Sequence, residues 1–395
     1  MLSEQVRERL AETLVDRIEE LNSTILEEIG KSIDEIGKLN TSQAYRVIQE
    51  LKYGGSYTKI IRKLAQVTNL SEKQIYEIFE EVAKGDQNFA KQFYKFKDVD
   101  FIPYDENEDL KRQVNAIAKL TANEYVNIIQ SSAFKTIENG KVVFTPVSRI
   151  YQHIMDQAVL SLSQGRESYN TIMKKTLRQL ADSGIRKVDY LSGRSVRADT
   201  VVRMNLLDGM RNLSNEIQKS LGNDFDYDGV QISVHRYPAP DHADIQGRQF
   251  SLEEFEKVNN GLEAKDVKGR VYQAQERRHI SEYNCYHGIF SIIIGVSQPE
   301  YSDKELEQIQ KENNDGFEFE GKHYTLYEGT QLQRQIETKV RTLKDRKTGY
   351  EAGGYLEDAD ICKRKIRQLT NKYNELCKAS GLKPKKIRMQ VSKVA

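Results

Sequence analysis

This chain of 395 residues has no tryptophan, only three cysteines, and almost no excess charge, at +1. Cys285, Cys362 and Cys377 are odd in number and far apart, which argues against a disulfide framework and for a reducing compartment. No apolar stretch approaches the ~20 residues that a membrane span needs, so no membrane is expected among the partners. The start is charged from Glu4 onward with no apolar h-region, so no secretory signal is expected. There is no internal repeat of fixed period and no low-complexity tract. Signatures of common chemistries are missing too: no nucleophile elbow, no paired catalytic carboxylates and no Cys-x-x-Cys. Gly353-Gly354 lacks the Lys-Ser/Thr and the strand context of a phosphate-binding loop.

What is present is charge of both signs, at 30% of residues, beside 38% hydrophobic residues, the balance of a soluble, helix-leaning protein. The length exceeds what one compact core usually serves, so two or three domains are expected. The charges are segregated. Residues 1–36 hold ten acidic against four basic side chains, whereas residues 361–395 hold eleven basic against Glu375 alone. The two ends therefore meet different partners, or each other.

Along the chain, Val6, Leu10, Leu14, Ile18, Leu21, Ile25, Ile29, Ile33 and Ile36 recur every three or four residues. That is one apolar stripe on a long helix, with a potential break at Gly30, needing cover from the next helices or a neighbouring subunit. A helix over Ser42–Tyr53 ends at Gly54-Gly55. Ser56 opens another, and Ser71 with Gln74 reads as a capping box opening a third. Residues 1–84 thus form an N-terminal helical bundle. Residues 85–225 combine an aromatic connector through Asp109 with long helices. Asn139-Gly140 predicts a small hairpin, Thr145-Pro146 predicts a helix start, and Gly184 a helix end. Asp199–Leu221 carries Val202, Leu206, Met210, Leu213 and Ile217 on one face. Residues 226–300 form a small mixed core and residues 301–395 the C-terminal helices and basic tail. There, helices over Thr330–Leu343 and Leu356–Lys378 flank a flexible Gly349–Gly354, and Ile387–Val394 alternates like a strand. The fold class is α+β, predominantly α-helical, with a small mixed α/β core near 228–300.

That core organises the chain. Val230, Ile232 and Val234 alternate with Gln231 and Ser233, the period of a half-buried strand, and Pro238-Ala239-Pro240 then forces a turn. Ile289–Val296 reads as a fully buried strand. Between them lie His235, His242, Cys285 and His287, the residue types of a tetrahedral zinc site. Their spacing is unfavourable, because no Cys-x-x-Cys or His-x-x-x-His pair is present among them. The competing reading has His235 and His242 hydrogen-bond backbone carbonyls and brace the turn, with no metal and no cofactor. A nuclease with His242 as base and Asp241 or Asp244 holding a cation is the enzymatic alternative. At the other end, Lys363, Arg364, Lys365, Arg367, Lys383, Lys385, Lys386 and Arg388 have the composition of a surface for phosphates or an acidic partner. Any DNA contact there would be sequence-independent, and with Tyr373 the sole aromatic it would not stack on single-stranded bases.

The phrase Ser233-x-His235 … Pro240-x-His242-Ala243-x-x-Gln246-Gly247 … Asn284-Cys285-x-His287 resembles the minor capsid proteins of tailed bacteriophages, distantly similar to the head morphogenesis family. The likeness continues through Tyr301–Leu306 and Tyr327-x-x-Thr330-Gln331-Leu332-Gln333-Arg334-Gln335, and more weakly through Asp16-Arg17-Ile18 to Ala83. One departure is the run Arg277–Tyr283, where the family is richer in glycine and cysteine. The resemblance implies a structural, non-enzymatic protein of the virion, assembled in the host cytoplasm and placed inside the head near the portal. It implies contacts with the portal protein and with the major capsid or scaffold protein, and a part in head assembly and in DNA packaging or ejection. Double-stranded DNA is a further candidate partner. The alternative is a metal-dependent nucleic-acid-processing enzyme built on the cluster at 235–287.

Overall fold

The computed structural model describes residues 4–39, 41–97, 100–162, 164–189, 191–224, 226–280 and 285–390. Its helices are α1 (Glu4–Gly37), α2 (Thr41–Leu51), α3 (Gly55–Lys97), α4 (Glu108–Gln130), α5 (Ile150–Leu162), α6 (Arg166–Ser183), α7 (Ala198–Asp224), α8 (Leu252–Asn259), α9 (Asp303–Asp315), α10 (Leu326–Ala352) and α11 (Leu356–Ser380). The strands are β1 (Ser132–Glu138), β2 (Lys141–Pro146), β3 (Arg186–Val188), β4 (Ser195–Arg197), β5 (Gly229–Ile232), β6 (Gln249–Ser251), β7 (Ala264–Lys265), β8 (Val271–Tyr272), β9 (Ile289–Ile292), β10 (Phe317–Phe319) and β11 (Lys322–Tyr324). The predominantly helical α+β class is what the periodicity predicts.

Helix α1 is the axis of the helical body and packs against α3, α6, α7 and α10. Leu14, Ile18, Leu21, Ile25, Ile29, Ile33 and Ile36 are all buried, so the stripe is covered within the chain. The helix does not break at Gly30. A Cβ there would lie 2.7 Å from the Ala352 Cβ and 2.9 Å from the Gly349 carbonyl oxygen, so Gly30 marks the crossing of α1 and α10. The polar side of α1 is buried as well. Glu12 accepts from Arg203 of α7, at 3.2 Å through one of its oxygens, and Glu19 accepts from Arg341 of α10 at 3.2 Å. One apolar cluster runs from Ala11 to Cys362 and unites α1–α7 with parts of α10 and α11.

Several local expectations are corrected. Helix α3 continues through Ser71 and on to Lys97, where two helices and a connector were expected, because nothing between Ser56 and Lys84 is a glycine or proline. Of the connector aromatics, Tyr104 is buried in the helical core, and Lys91 sits over Phe101, 5.5 Å from its ring centre; the side chains of Phe89, Phe93, Tyr94 and Phe96 lie outside the described residues. Asn139 (φ 49) and Gly140 (φ 76) do make the β1–β2 turn, within a four-stranded antiparallel sheet of order β2-β1-β3-β4. Thr145 and Pro146 belong to β2, not to a helix start. As an edge strand, β2 accommodates a proline without losing a ladder bond. Gly184, at φ 56, ends α6 as expected.

The mixed module has its own apolar cluster around Ile232, Ile245, Phe250 and Tyr272. Strand β5 is the centre of an antiparallel sheet of order β6-β5-β9 and is buried along its whole length, so it is not half-buried. Gln231 is satisfied there by Gln249 Nε2 at 2.9 Å. Strand β9 ends at Ile292, and only that residue of the strand is buried. The chain then turns, with Ser297 N bonded to Ile293 O at 2.8 Å and Gly295 at φ 80. The run to Val296 is therefore an edge strand plus a turn, not a fully buried strand.

Beyond the module, Ser302 and Thr325 each form a full capping box, opening α9 and α10. Helix α10 begins four residues before the expected Thr330 and absorbs most of the supposedly flexible Gly349–Gly354. Strands β10 and β11 pair as a small antiparallel hairpin, with Phe317 opposite Tyr324. In place of a terminal strand there is a single 3-10 turn at Lys386–Met389; residues 391–395 lie outside the described residues.

Candidate functional site

Strands β5 and β9 pair antiparallel with Ile232 opposite Ile289. Whatever follows Ile232 is thus brought beside whatever precedes Ile289. Ser233 N donates to Gly288 O at 2.9 Å, and Gly288 N donates to Ser233 Oγ at 2.7 Å. The backbone after the Pro-x-Pro segment then folds into successive turns, with His242 N on Ala239 O at 3.0 Å. This carries His242 over the segment that holds Cys285 and His287.

These three side chains converge. Cys285 Sγ is 3.6 Å from His242 Nδ1 and 3.7 Å from His287 Nδ1. All three are buried, and their candidate ligand atoms lie within 4.8 Å of one another. Cys285 and His287 can face one centre because residues two apart on extended backbone share a face, and here they directly precede β9. His242 Nε2 donates to Arg278 O at 2.7 Å, and His287 Nε2 meets Gln246 Oε1 at 3.3 Å. Burial would depress His242, but the Cys285 sulfur, the Arg278 carbonyl and the Asp241 carboxylate outweigh it and raise its pKa. At His287 burial prevails and the pKa is lowered.

His235 stands apart. Its Nδ1 accepts from Tyr237 N at 3.2 Å, and its ring stacks on Tyr286 with centres 5.3 Å apart. So His242 meets a backbone carbonyl, as the bracing reading expects, while His235 holds a backbone N–H instead. Asn284 lies outside the described residues. The carboxylates offered to a cation in the nuclease reading are occupied. Asp241 takes Arg278 at 2.8 and 2.9 Å, and Asp244 takes Arg277 at 2.6 and 2.5 Å. Burial works to raise the Asp241 pKa, but the Arg278 hydrogen bonds hold it down at about 2. His242 is 1% exposed, with its outer nitrogen committed to a carbonyl.

The module meets the helical body across a cleft with a cavity of about 510 Å³, lined by His242, Cys285, Tyr286, Arg334, Glu8 and Lys385 among others. Arg334 of α10 donates to Tyr286 Oη at 3.1 Å. The sequence singles out Gln333-Arg334 only as part of a longer phrase; nothing in it signals that the arginine reaches the module.

The basic C-terminal residues divide into two groups. Lys363, Arg364, Lys365 and Arg367 lie exposed on α11, where Lys363 pairs with Asp360 at 2.9 Å and Glu351 at 3.2 Å. Lys383 and Lys386 are exposed as well. Lys385 bonds Glu8 at 3.0 Å, and Arg388 donates to the same carboxylate while buried. The two chain ends, of opposite charge, therefore meet each other.

Among the described residues, no helix is long and apolar enough to cross a membrane. The sequence profile of a family described as phage minor capsid protein 2 matches residues 2–378. No curated protein and no solved structure matches the chain.

Proposed function

The chain belongs to the phage minor capsid protein 2 family, and from that premise we propose that it works at the portal vertex inside the phage head. Its structural role in a phage capsid, within the virion, follows from a family match over nearly the whole chain. Its partners, in this reading, are the portal protein and the major capsid or scaffold protein. Its task is head assembly together with DNA packaging or ejection.

The observation that carries the reading is the extent of the match, which takes in the whole helical body, the mixed module and nearly all of α11. The exposed basic face of α11 supports a contact with packaged double-stranded DNA made through its backbone charges. Filling of α1 within the chain supports a pre-folded component that docks by its surface.

The test is to purify phage particles, crosslink them and map the crosslinks of this chain by mass spectrometry. Links to the portal protein, at a copy number below that of the shell protein, are expected. Particles without the chain, or crosslinks confined to tail proteins, would end the proposal.

A further inference from the structure

We propose that His242, Cys285 and His287 form a zinc site that fastens the turns after β5 to the segment leading into β9. This goes beyond the capsid role and does not depend on it.

The two sulfur-to-nitrogen spacings match the edges of a coordination tetrahedron. With Zn–S of about 2.3 Å and Zn–N of about 2.0–2.1 Å, a tetrahedral S···N edge is roughly 3.5–3.6 Å. The two edges observed are 3.6 and 3.7 Å. Two imidazoles and a thiolate are also the donor set that zinc prefers.

The hydrogen bonds around the cluster point the same way. A backbone carbonyl can only accept, so the bond to Arg278 O places a proton on His242 Nε2. Gln246 Oε1 already accepts from His235 N at 2.8 Å, which fixes that atom as the oxygen and places a proton on His287 Nε2. In their neutral forms both histidines therefore turn an Nδ1 lone pair towards one sulfur. A thiol has a single proton and can serve one of them. Ionising Cys285 against His242 still leaves the His287 lone pair facing sulfur. Among the described residues, two buried imidazoliums, or one cation shared by three lone pairs, would satisfy the cluster. A partner that orients the far nitrogen of each histidine is the usual outer shell of a metal site. All three residues line the same cavity, from which water can supply a fourth ligand. Among the described residues, Asp241 and Asp244, the carboxylates nearest to His242 in sequence, are held by Arg278 and Arg277 and do not stand free to use such a water. The ion is a brace.

The test is to strip the full-length protein with chelator, reload it with zinc or cobalt, and measure stoichiometry by equilibrium dialysis. One ion per chain is expected, with thiolate-to-cobalt charge-transfer absorption that persists in Cys362→Ser and Cys377→Ser. Cys285→Ser should lose that band, and Gln246→Leu should weaken zinc binding about 10–100-fold without abolishing it. Hydrogen exchange over residues 229–292 should slow when zinc is added to the stripped wild type. Wild-type protein that takes up no zinc overturns the proposal, as does a thiolate band lost in Cys362→Ser or Cys377→Ser, or unchanged uptake by Cys285→Ser. The wild-type reloading and the two distant cysteine variants decide the matter even if Cys285→Ser fails to fold.

Discussion

Arg388 donates to the carboxylate of Glu8, so the basic end of the chain closes on its acidic beginning. Lys385 shares that carboxylate at 3.0 Å. Arg388 is 8% exposed, and removing Glu8 would take from its buried guanidinium the carboxylate it is bonded to. Glu8→Gln should cost about 1–3 kcal/mol and release the segment after Gly381. Limited trypsin proteolysis should then cut after Lys385 or Lys386 at low protease concentrations that leave the wild type intact. Equal resistance in both proteins would mean that the clasp does not hold the segment.

The clasp also divides the basic residues into those that can reach a phosphate and those that cannot. Reversing exposed α11 charges, as in Arg364→Glu or Arg367→Glu, should weaken binding to any duplex regardless of sequence. Each phosphate contact removed should lower the slope of log K against log salt by about one. Arg388→Gln should leave that slope unchanged. Filter binding at several salt concentrations reads both. A slope that responds only to Arg388 would move the DNA contact off α11.

Where α1, α7 and α10 meet, Arg197 and Arg341 face the carboxyls of Glu19, Asp199 and Asp345, two cations for three acids. Burial, with Asp199 nearby, pushes Glu19 up to about 8 from an ordinary 4.5. Burial pushes Asp345 up to about 6 from 3.8. At Asp199 burial is outweighed by Arg197 and Arg341, which hold it at about 2. A raised carboxyl binds its proton more tightly in the folded state, so folding stability falls as pH rises from the unfolded to the folded pKa. A lowered carboxyl contributes stability above its unfolded value that is lost as pH falls towards the folded one. Denaturant stability should therefore peak near pH 4 and decline towards pH 8. Glu19→Gln should abolish the decline between 6 and 8 and keep the part below 6, where Asp345 titrates. An unchanged slope in Glu19→Gln would place the titration elsewhere.

Most of the helical body was legible because its signals are local. The stripe from Leu14 to Ile36 and the face from Val202 to Ile217 repeat at the helical period, and Gly184 marks a helix end by its own chemistry. Misreadings arose where tertiary context decides. Ser71 carries the residues of a cap inside an unbroken helix, and Ile289–Val296 has the composition of a central strand at a sheet edge. The convergence of His242 with Cys285 was not legible, since it depends on the β5–β9 register across 43 positions. Nor was the turn of Arg388 onto Glu8, although the segregation of charge allowed for it.

Gly30 offers the sharpest test of how the helices pack. In an isolated helix, replacing glycine by alanine gains about 1 kcal/mol. Here the added Cβ would stand 2.7 Å from the Ala352 Cβ, 2.9 Å from the Gly349 carbonyl oxygen and 3.0 Å from Gly353 N. Two of these are backbone atoms and cannot rotate away, so α1 and α10 must separate. Overpacking of this kind costs about 1–3 kcal/mol, enough to offset the propensity gain, and Gly30→Val should cost more than Gly30→Ala. Adding Ala352→Gly relieves one contact of the three, so the double variant should recover only part of the loss, as a favourable coupling in a double-mutant cycle. Thermal unfolding of the wild type, the two Gly30 variants, Ala352→Gly and the double variant measures these effects. A Gly30→Ala protein more stable than the wild type would show that the two helices do not cross this closely.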